Sequence, residues 1–410
     1  MNHITAEILS VGTELLLGTI VNTNAAFLSR ELAKLGVAVY SQTTVGDNQK
    51  RLVSALSQAF QKADMVITIG GLGPTQDDIT KEGAAEYFGL KMVMDEPSLE
   101  RIKIRFGVRT LPENVEKNAL VPETSTTLQN DNGSAPGICI EQNGKILILL
   151  PGPPHELEPM FTQYAVPFLR TKTHGAFYSR TLKIIGIGES KVEVLLKDLI
   201  DAQNNPTIAP YAKVGEVHVR ITASAENDDA AACLIKPIAD EIHKRLFPHI
   251  YGEDELTLAE AVVNLLKLRG HTLALAESCT GGVITSSLVG VPGCSAVLRE
   301  GLVTYANESK INRLGVDAAT ISTYGAVSSQ TAAKMAEGAA QTSGTSVALS
   351  VTGIAGPEGG TAEKPVGLVY IGLYMEGKET KTAEHRIIGN RGEIRTRAAK
   401  LALDMLRQAL

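Results

Sequence analysis

ALAESCTGG, residues 274–282, predicts a buried strand, a tight turn and the start of a helix in immediate succession. The apolar run 272–276 predicts the strand, and the two glycines lead into a helix-like segment, residues 283–288. α/β proteins bind ligands at the carboxyl ends of such strands, and the following helix is expected to offer unpaired N–H groups to an anion or oxyanion. Ser278 at this corner is therefore a candidate nucleophile; the alternative is a serine that caps the helix.

Length and composition predict a soluble protein of two or three domains. The chain has 410 residues, 44% hydrophobic and 20% charged, which is ample for more than one core. A net charge of −6 without a basic stripe argues against direct binding of nucleic acid. No apolar run approaches the roughly 18 residues of a membrane span. With no signal peptide and four scattered cysteines, we expect a cytoplasmic location.

The first domain, residues 1–170, alternates strands with helices. Apolar runs at 6–11, 37–44 and 65–69 predict strands, and residues 22–35 and 48–62 have helical spacing. This alternation predicts a parallel sheet with helices on both faces.

A glycine loop follows the third of these strands and reads GGLGPTQDD, residues 70–78. Glycines let the backbone approach a phosphate, and the helix behind the loop contributes its dipole. Asp77 and Asp78 are candidates to hold a divalent cation that bridges phosphate oxygens. The alternative is a glycine turn in which Asp78 caps the helix. The spacing matches neither a P-loop nor a dinucleotide fingerprint.

Four motifs together resemble the N-terminal domain of the CinA family, which is related to molybdopterin-binding domains: VGTELLLG at 11–18, GGLGPTQDD at 70–78, NGSAPG at 132–137 and LPGPPHE at 150–156. The resemblance implies a three-layer α/β fold and a pyrophosphatase that cleaves ADP-ribose with a divalent metal. It places Gly71, Gly73, Pro74, Thr75 and Asp78 at the phosphate site. Glu14 and Asp78 are the candidate metal ligands.

The middle segment, residues 171–251, predicts a small α+β domain. Strands are expected at 181–187, 207–211 and 217–222, and helices at 190–200 and 228–247. GIGES, residues 186–190, is either a nucleotide-binding loop or a turn capped by Ser190. The segment resembles the middle domain of full-length CinA proteins, and we interpret it as a spacer or assembly element.

The last domain, residues 252–410, again predicts an α/β fold. Helices are expected at 256–268, 330–342 and 391–409, with Ser328 capping the second. Strands are expected at 301–304, 347–351, 366–374 and 380–388.

Lys310, paired with Tyr305, is the candidate base for Ser278. Burial lowers the pKa of a lysine enough for it to deprotonate a serine, and a tyrosine hydroxyl between the two could relay the proton. The alternative is that both residues edge a surface helix. His271 and His385 are interpreted as structural, so no Ser–His–Asp set is expected.

Anion binding is predicted where two glycine loops follow neighbouring strands. Residues 280–282 and 352–360 should meet at one edge of a parallel sheet and offer N–H groups to a phosphate. Three arginines, Arg391, Arg395 and Arg397, lie at the start of the closing helix, where basic residues oppose the helix dipole. We interpret that unfavourable placement as a hint of an anion site.

These segments resemble the C-terminal domain of the CinA family: AESCTGG at 276–282, YANESK at 305–310, VTGIAGPEGG at 351–360 and GNRGEIR at 389–395. That family is known as nicotinamide-nucleotide amidase, which hydrolyses nicotinamide mononucleotide to nicotinate mononucleotide and ammonia. The resemblance implies Ser278 as nucleophile, Tyr305 and Lys310 as its activators, no cofactor, and a homodimer. It implies these substrate contacts: Thr280, Gly281, Gly282, Asn307, Thr352, Gly353, Gly356 and Arg391.

The sequence thus predicts a bifunctional hydrolase of pyridine-nucleotide salvage, with nicotinamide mononucleotide and ADP-ribose as substrates. A different class remains open: a non-enzymatic pterin- or nucleotide-binding protein with an accessory role in competence or the DNA-damage response.

Overall fold

The computed structural model describes residues 4–108, 110–173 and 176–410. The chain divides into two compact units, Met1–Tyr178 with Ala223–Cys233, and Ser179–Thr222 with Leu234–Leu410. The first unit contains the predicted first domain, and the second combines most of the middle segment with the last domain. The division into three domains therefore stays a prediction.

The elements of the first region alternate as expected. Its strands are β1 Thr5–Val11, β2 Ala38–Val45, β3 Met65–Ile69, β4 Met92–Met94, β5 Leu120–Pro122, β6 Thr126–Leu128, β7 Gly137–Gln142 and β8 Lys145–Leu150. Its helices are α1 Thr13–Leu16, α2 Thr23–Lys34, α3 Gln49–Phe60, α4 Thr80–Phe88, α5 Glu96–Phe106, α6 Glu113–Glu116, α7 Pro154–Met160 and α8 Val166–Arg170, with a π-helical segment Phe161–Ala165 between the last two.

The main sheet of this region has the order β2-β1-β3-β8-β7-β6, parallel from β2 to β8 and antiparallel beyond. Successive side chains of a strand point to opposite faces. Ile8 accordingly packs in a cluster with residues of α2 and α7, whereas Leu9 packs with residues of α3 and α4. The sheet is thus covered on both faces, which confirms the three-layer α/β arrangement.

The middle segment forms a second sheet of order β10-β11-β9-β12, with β9 Ala176–Ile184, β10 Thr207–Lys213, β11 Glu216–Ala225 and β12 Ile250–Glu253. Its helices are α9 Glu189–Asp201 and α10 Asp228–Leu246. Gly188 occupies the N-cap position of α9 without a side-chain cap, so the predicted cap by Ser190 is wrong. Ser190 lies inside the first turn of the helix, because α9 begins at Glu189, one residue before the predicted start.

The last region comprises α11 Leu258–Arg269, β13 Leu273–Glu277, α12 Val283–Val289, β14 Leu298–Val303, α13 Asn307–Leu314, α14 Ala318–Tyr324, α15 Ser329–Ser343, β15 Val347–Gly353, β16 Leu368–Met375, β17 Lys381–Arg386 and α16 Arg391–Ala409. The sheet order is β14-β13-β15-β16-β17, with the first three strands parallel and the last two antiparallel. The carboxyl ends of β13, β14 and β15 therefore lie side by side.

Alternation along β13 again separates two cores. Leu273 and Leu275 pack with residues of α11 and α16, and Ala274 and Ala276 pack with residues of α13 and α15. Helix α15 approaches α13 so closely that a Cβ at Gly338 would lie 1.8 Å from the carbonyl oxygen of Leu314. That approach fixes α13, the helix that carries Lys310.

Helix α16 also packs against the middle segment. Lys400 donates to the carbonyl of Val214 at 2.8 Å and forms an ion pair with Glu216 at 3.2 Å. Arg407 donates to the carbonyl of Pro248 at 2.8 Å. None of the helices in the described ranges is long and apolar enough to span a membrane.

Candidate functional sites

Ser278 lies directly after β13 and is 7% exposed. Its N–H donates to the carbonyl of Val351 on the neighbouring strand at 2.9 Å, which fixes the turn against the sheet. Helix α12 has Gly282 at its N-cap position and no side-chain cap, so the alternative of a capping serine is wrong. The Ser278 hydroxyl is therefore available for other chemistry.

Lys310 reaches this hydroxyl from α13. Its Nζ lies 3.2 Å from Ser278 Oγ, 3.0 Å from the carbonyl oxygen of Thr304 and 3.1 Å from that of Tyr305. The side chain is 1% exposed, and burial lowers the pKa of its amine below that of an ordinary lysine. The alternative, in which Lys310 lies at the edge of a surface helix, is therefore wrong for this residue.

The three oxygens around Lys310 Nζ can accept all three protons of an ammonium, and they also suit a neutral amine. A neutral amine has two N–H donors and one lone pair, and the two carbonyls can accept both protons. Its lone pair is then left for the Ser278 O–H, which is the geometry of a base and its nucleophile.

Tyr305 does not occupy the relay position that was predicted. Its side chain is 61% exposed, and its hydroxyl accepts a hydrogen bond from Arg391 Nη2 at 3.1 Å. Among the described residues, no hydrogen bond joins this hydroxyl to Ser278 or Lys310. Tyr305 instead orients the lysine through its backbone carbonyl, and Lys310 meets Ser278 directly.

The expectation of free N–H groups at the start of α12 is wrong for three of them, whereas the Val283 N–H has no acceptor among the described residues. The carboxylate of Glu277 accepts from the backbone N–H of Gly282, Ile284 and Thr285 at 2.8–3.2 Å. Sequence reasoning missed this role, because an acidic residue at the end of a strand gives no sign of which way its side chain turns.

The arginines of α16 brace the loops around Ser278. Arg391 Nη1 donates to the carbonyl of Gly356 at 2.6 Å, and Arg395 donates twice to that of Thr280, at 2.7 and 3.1 Å. Arg397 Nη1 turns to the carbonyl of Ile388 at 2.8 Å. All three arginines donate to backbone carbonyls. These hydrogen bonds are therefore a second explanation, beside an anion site, for basic residues at the start of α16.

Other predicted contacts surround the same corner. Gly281 and Gly282 have φ of 60° and 91°, a left-handed backbone that favours glycine. The Thr352 hydroxyl donates to the carbonyl of Ala326 at 2.8 Å, so its proton is already used. Asn307 is exposed at the start of α13, and Gly353 is the last residue of β15.

In the first unit, the predicted phosphate loop lines a cleft of about 560 Å³. Glu14, Gly71, Gly73, Pro74 and Asp78 all line it. Thr75 is not among the lining residues: its N–H and hydroxyl donate to Asp78 Oδ2 at 2.9 and 2.6 Å. Helix α4 has Ile79 at its N-cap position and no side-chain cap, so Asp78 braces the loop rather than capping the helix.

The cleft is strongly acidic. Its described lining includes no Lys, Arg or His but carries five carboxylates, from Glu14, Asp47, Asp77, Asp78 and Glu156. Within the described residues, no three side chains of His, Cys, Asp or Glu form a group that could hold a metal by themselves. One or two carboxylates with substrate phosphates is, however, the usual way in which Mg²⁺ is bound. The donor set therefore fits a metal that arrives with a phosphorylated ligand.

Lys81 lies behind this loop and was not noticed in the sequence. It is fully buried, and its Nζ donates to the carbonyls of Lys117 and Asn118 at 2.9 and 3.3 Å. Burial lowers its pKa to about 8. Lys117 in turn donates to the carbonyl of Asp78 at 3.0 Å, so two lysines support the loop from behind.

Full-length relatives decide the family. A CinA-like protein of Dictyoglomus turgidum is 56% identical over 406 residues, which is 98% of each chain. A CinA-like protein of Kosmotoga olearia is 52% identical over 407 residues, 99% of this chain and 98% of that one. The chain belongs to the CinA family.

Family profiles divide this CinA protein into three stretches. They are described as "Probable molybdopterin binding domain" for residues 7–171, "Damage-inducible protein CinA KH domain" for 179–252 and "CinA C-terminal domain" for 255–410. A solved structure, the competence/damage inducible protein CihA from Agrobacterium tumefaciens, is 45% identical; the match covers 36% of this chain and 91% of that one, with a TM-score of 0.36.

Proposed function

We propose that this CinA protein hydrolyses the carboxamide of nicotinamide mononucleotide through Ser278. The observation that carries the proposal is the buried Lys310 Nζ at 3.2 Å from Ser278 Oγ. The substrate is taken from the family resemblance. A serine is a weak nucleophile until an adjacent base removes its proton, and a desolvated lysine is such a base.

The reaction proceeds in two halves. Neutral Lys310 accepts the Ser278 proton while Oγ attacks the carboxamide carbon, and the tetrahedral intermediate collapses as the lysine gives this proton to the carboxamide nitrogen, which leaves as ammonia. An ester of the nicotinoyl group with Ser278 remains. Water then attacks this ester, Lys310 takes the water's proton and returns it to Ser278, and nicotinate mononucleotide leaves. Lys310 is thus the proton acceptor and donor in both halves of the reaction.

Ammonia release from nicotinamide mononucleotide tests this proposal. Ser278→Ala should abolish release while calorimetry still detects binding of the substrate. Ser286→Ala, an exposed serine on α12, is the matched control and should turn over normally. Unchanged turnover in Ser278→Ala would rule out the nucleophile, and no turnover in the unaltered protein would rule out the substrate.

We further propose that the cleft of the first unit hydrolyses ADP-ribose to AMP and ribose 5-phosphate with a divalent cation. Five carboxylates would repel a pyrophosphate, and a cation held by Asp78 and Glu14 would offset that repulsion. Such a cation would polarise a phosphoryl oxygen when bound. The loop itself requires glycine, since a Cβ at Gly71 would lie 2.2 Å from Thr80 Oγ1 at the start of α4.

AMP formation from ADP-ribose, with and without added Mg²⁺ or Mn²⁺, tests the second activity. Asp78→Ala should remove the metal-dependent cleavage, and Asp78→Asn should do so while keeping an acceptor for Thr75. Glu31→Ala, which removes a carboxylate of α2 outside the cleft, should have no effect. Full activity in Asp78→Asn would exclude this residue as the metal ligand.

The alternative function is binding without catalysis, in competence or the DNA-damage response. The name of the middle profile raises nucleic acid as a ligand, since KH domains clamp it with a GXXG loop. Here Gly186 and Gly188 are separated by one residue, and the acidic Glu189 follows. The net charge of −6 points the same way, away from direct binding. If neither substrate is consumed, this alternative gains.

A further inference from the structure

Glu277 is the last residue of β13 and immediately precedes Ser278 in the chain, and its carboxylate is fully buried. The side chain lies beneath the loop 278–281, which contains Ser278, and reaches the start of α12. Oε2 accepts from the N–H of Gly282 at 2.9 Å and of Ile284 at 3.2 Å. Oε1 accepts from the N–H and hydroxyl of Thr285 at 2.8 and 2.7 Å.

Four donors explain how a carboxylate is tolerated at this depth. An unpaired buried carboxylate costs many kcal/mol, whereas hydrogen bonds from N–H groups at a helix start stabilise its charge. The bonds also tie both ends of the loop 278–281 together, since Glu277 holds one end by its backbone and the other by its carboxylate. The loop cannot shift without breaking them.

The remaining backbone bonds of the loop complete its fixation. Gly281 N–H donates to the Ser278 carbonyl at 3.1 Å, and Arg395 holds the Thr280 carbonyl. Among the described residues, the Thr280 N–H has no acceptor, and the Cys279 N–H has only its own thiol beside it. Buried N–H groups are rarely left unpaired, so this pair is available to a ligand.

These bonds decide where an oxyanion can be stabilised. Glu277 occupies the N–H groups of Gly282, Ile284 and Thr285, so within the loop 278–281 the donors left for an oxyanion are those of Cys279 and Thr280. The residue after a nucleophile at a strand–turn–helix corner commonly supplies such a donor. A negative charge at the helix start also disfavours binding of the substrate's phosphate there.

We propose that Glu277 is a positioning residue for the amide hydrolysis: its carboxylate holds the loop so that the Cys279 and Thr280 N–H groups receive the oxyanion formed at Ser278. The inference rests on the proposed amidase function. It assigns Glu277 no contact with the substrate.

Glu277→Gln tests the inference, because the amide NH₂ would face N–H donors and break part of the set. We expect kcat for nicotinamide mononucleotide to fall about a hundredfold, the scale for a lost oxyanion donor, with KM changed less than about threefold. Thr285→Val, which removes one donor of four, should give a smaller loss of kcat in a protein that folds normally. The matched control is Glu260→Gln, a carboxylate that bonds the N-cap of α11 away from Ser278.

A purely structural role would lower the melting temperature of Glu277→Gln, as in Glu260→Gln, but leave kcat per folded molecule unchanged. That result would overturn the inference, and so would an equal loss of kcat in both variants.

A fluorophosphonate, which reacts with an activated serine to form a phosphonate ester and release fluoride, separates this inference from the choice of substrate, with Ser278→Ala as the unlabelled control. Slower labelling of Ser278 in Glu277→Gln supports the inference even if nicotinamide mononucleotide is not consumed, and equal labelling rates in both proteins contradict it.

Discussion

The Ser278 corner and the loop 70–78 are both strand–turn–helix junctions at the carboxyl edge of a parallel sheet, but they handle charge in opposite ways. At the corner, the protein itself supplies partners for both buried ionisable groups: Lys310 has two carbonyls and a hydroxyl, and Glu277 has four donors. At the loop, carboxylates face an open cleft, and the two lysines lie behind it.

This difference separates two ways of preparing a site. In the proposed mechanism the corner needs no further group, since burial already lowers the pKa of Lys310, the proposed base. The cleft is electrostatically incomplete, and a cation with an anionic ligand would balance it. The first arrangement should respond to changes in its own side chains and to pH, and the second to the supply of metal.

The largest expected effect is at the corner. Lys310→Met removes the base, and we expect kcat for ammonia release to fall about a thousandfold, within the range for general-base catalysis. Cleavage of ADP-ribose by the same sample should be unchanged. Lys334→Met, an exposed lysine of α15, is the control. A loss of less than tenfold in Lys310→Met would mean that another group is the base.

Chelation should separate the two regions next. EDTA should reduce ADP-ribose cleavage at least about a hundredfold, because a cation supplies several kcal/mol of charge stabilisation. Release of ammonia should be unchanged, because the proposed amide hydrolysis uses no metal. Added Mg²⁺ should restore the first activity. Equal losses in both assays would erase the distinction between a complete and an incomplete site.

The pH dependence should show the state of Lys310. Only the neutral amine is a base, so kcat/KM for nicotinamide mononucleotide should rise about tenfold per pH unit and then level off. Burial lowers the pKa of Lys310, so the plateau should begin below the ordinary lysine value. Rates measured between about pH 6 and 10 test this. The rise of kcat/KM with pH should be absent in Lys310→Met. If the rise persists in this variant, a group other than Lys310 causes it.

The smallest effect is expected for Tyr305→Phe. Its hydroxyl accepts from Arg391 and does not bond Ser278 or Lys310, and one such bond is worth about 1 kcal/mol, or about fivefold in rate. We expect kcat to change by no more than that. A loss as large as that of Lys310→Met would restore the predicted proton relay through the tyrosine.

Much of the fold was predictable because its strands and helices are strongly patterned. The strand at 65–69 and the helix at 391–409 have the predicted bounds. The strand predicted at 301–304 begins earlier, at Leu298. The apolar pattern missed this start because β14 is an exposed edge strand, where Arg299 and Glu300 interrupt the apolar run. The apolar pattern of a sequence reflects burial, so it predicts exposed edge strands less well than buried ones.

The site was predictable in part only. Ser278 and Lys310 were singled out, but their approach across 32 positions depends on the parallel pairing of β13 with β14, which sets where α13 begins. The directions taken by Glu277 and Tyr305 depend on the donors that the folded loops present. A sequence pattern records neither, so the carboxylate was missed and the tyrosine hydroxyl was assigned the wrong partner.

Helix α16 serves two neighbours with one rigid element. At 1.5 Å per residue its 19 residues span about 28 Å, with Arg391 and Arg395 bracing the serine corner and Lys400 and Arg407 holding the middle segment. Opening this helix would release both neighbours at once. Amide protons of the middle sheet and of β13 should therefore exchange with solvent as one cooperative unit, although they belong to segments far apart in the chain.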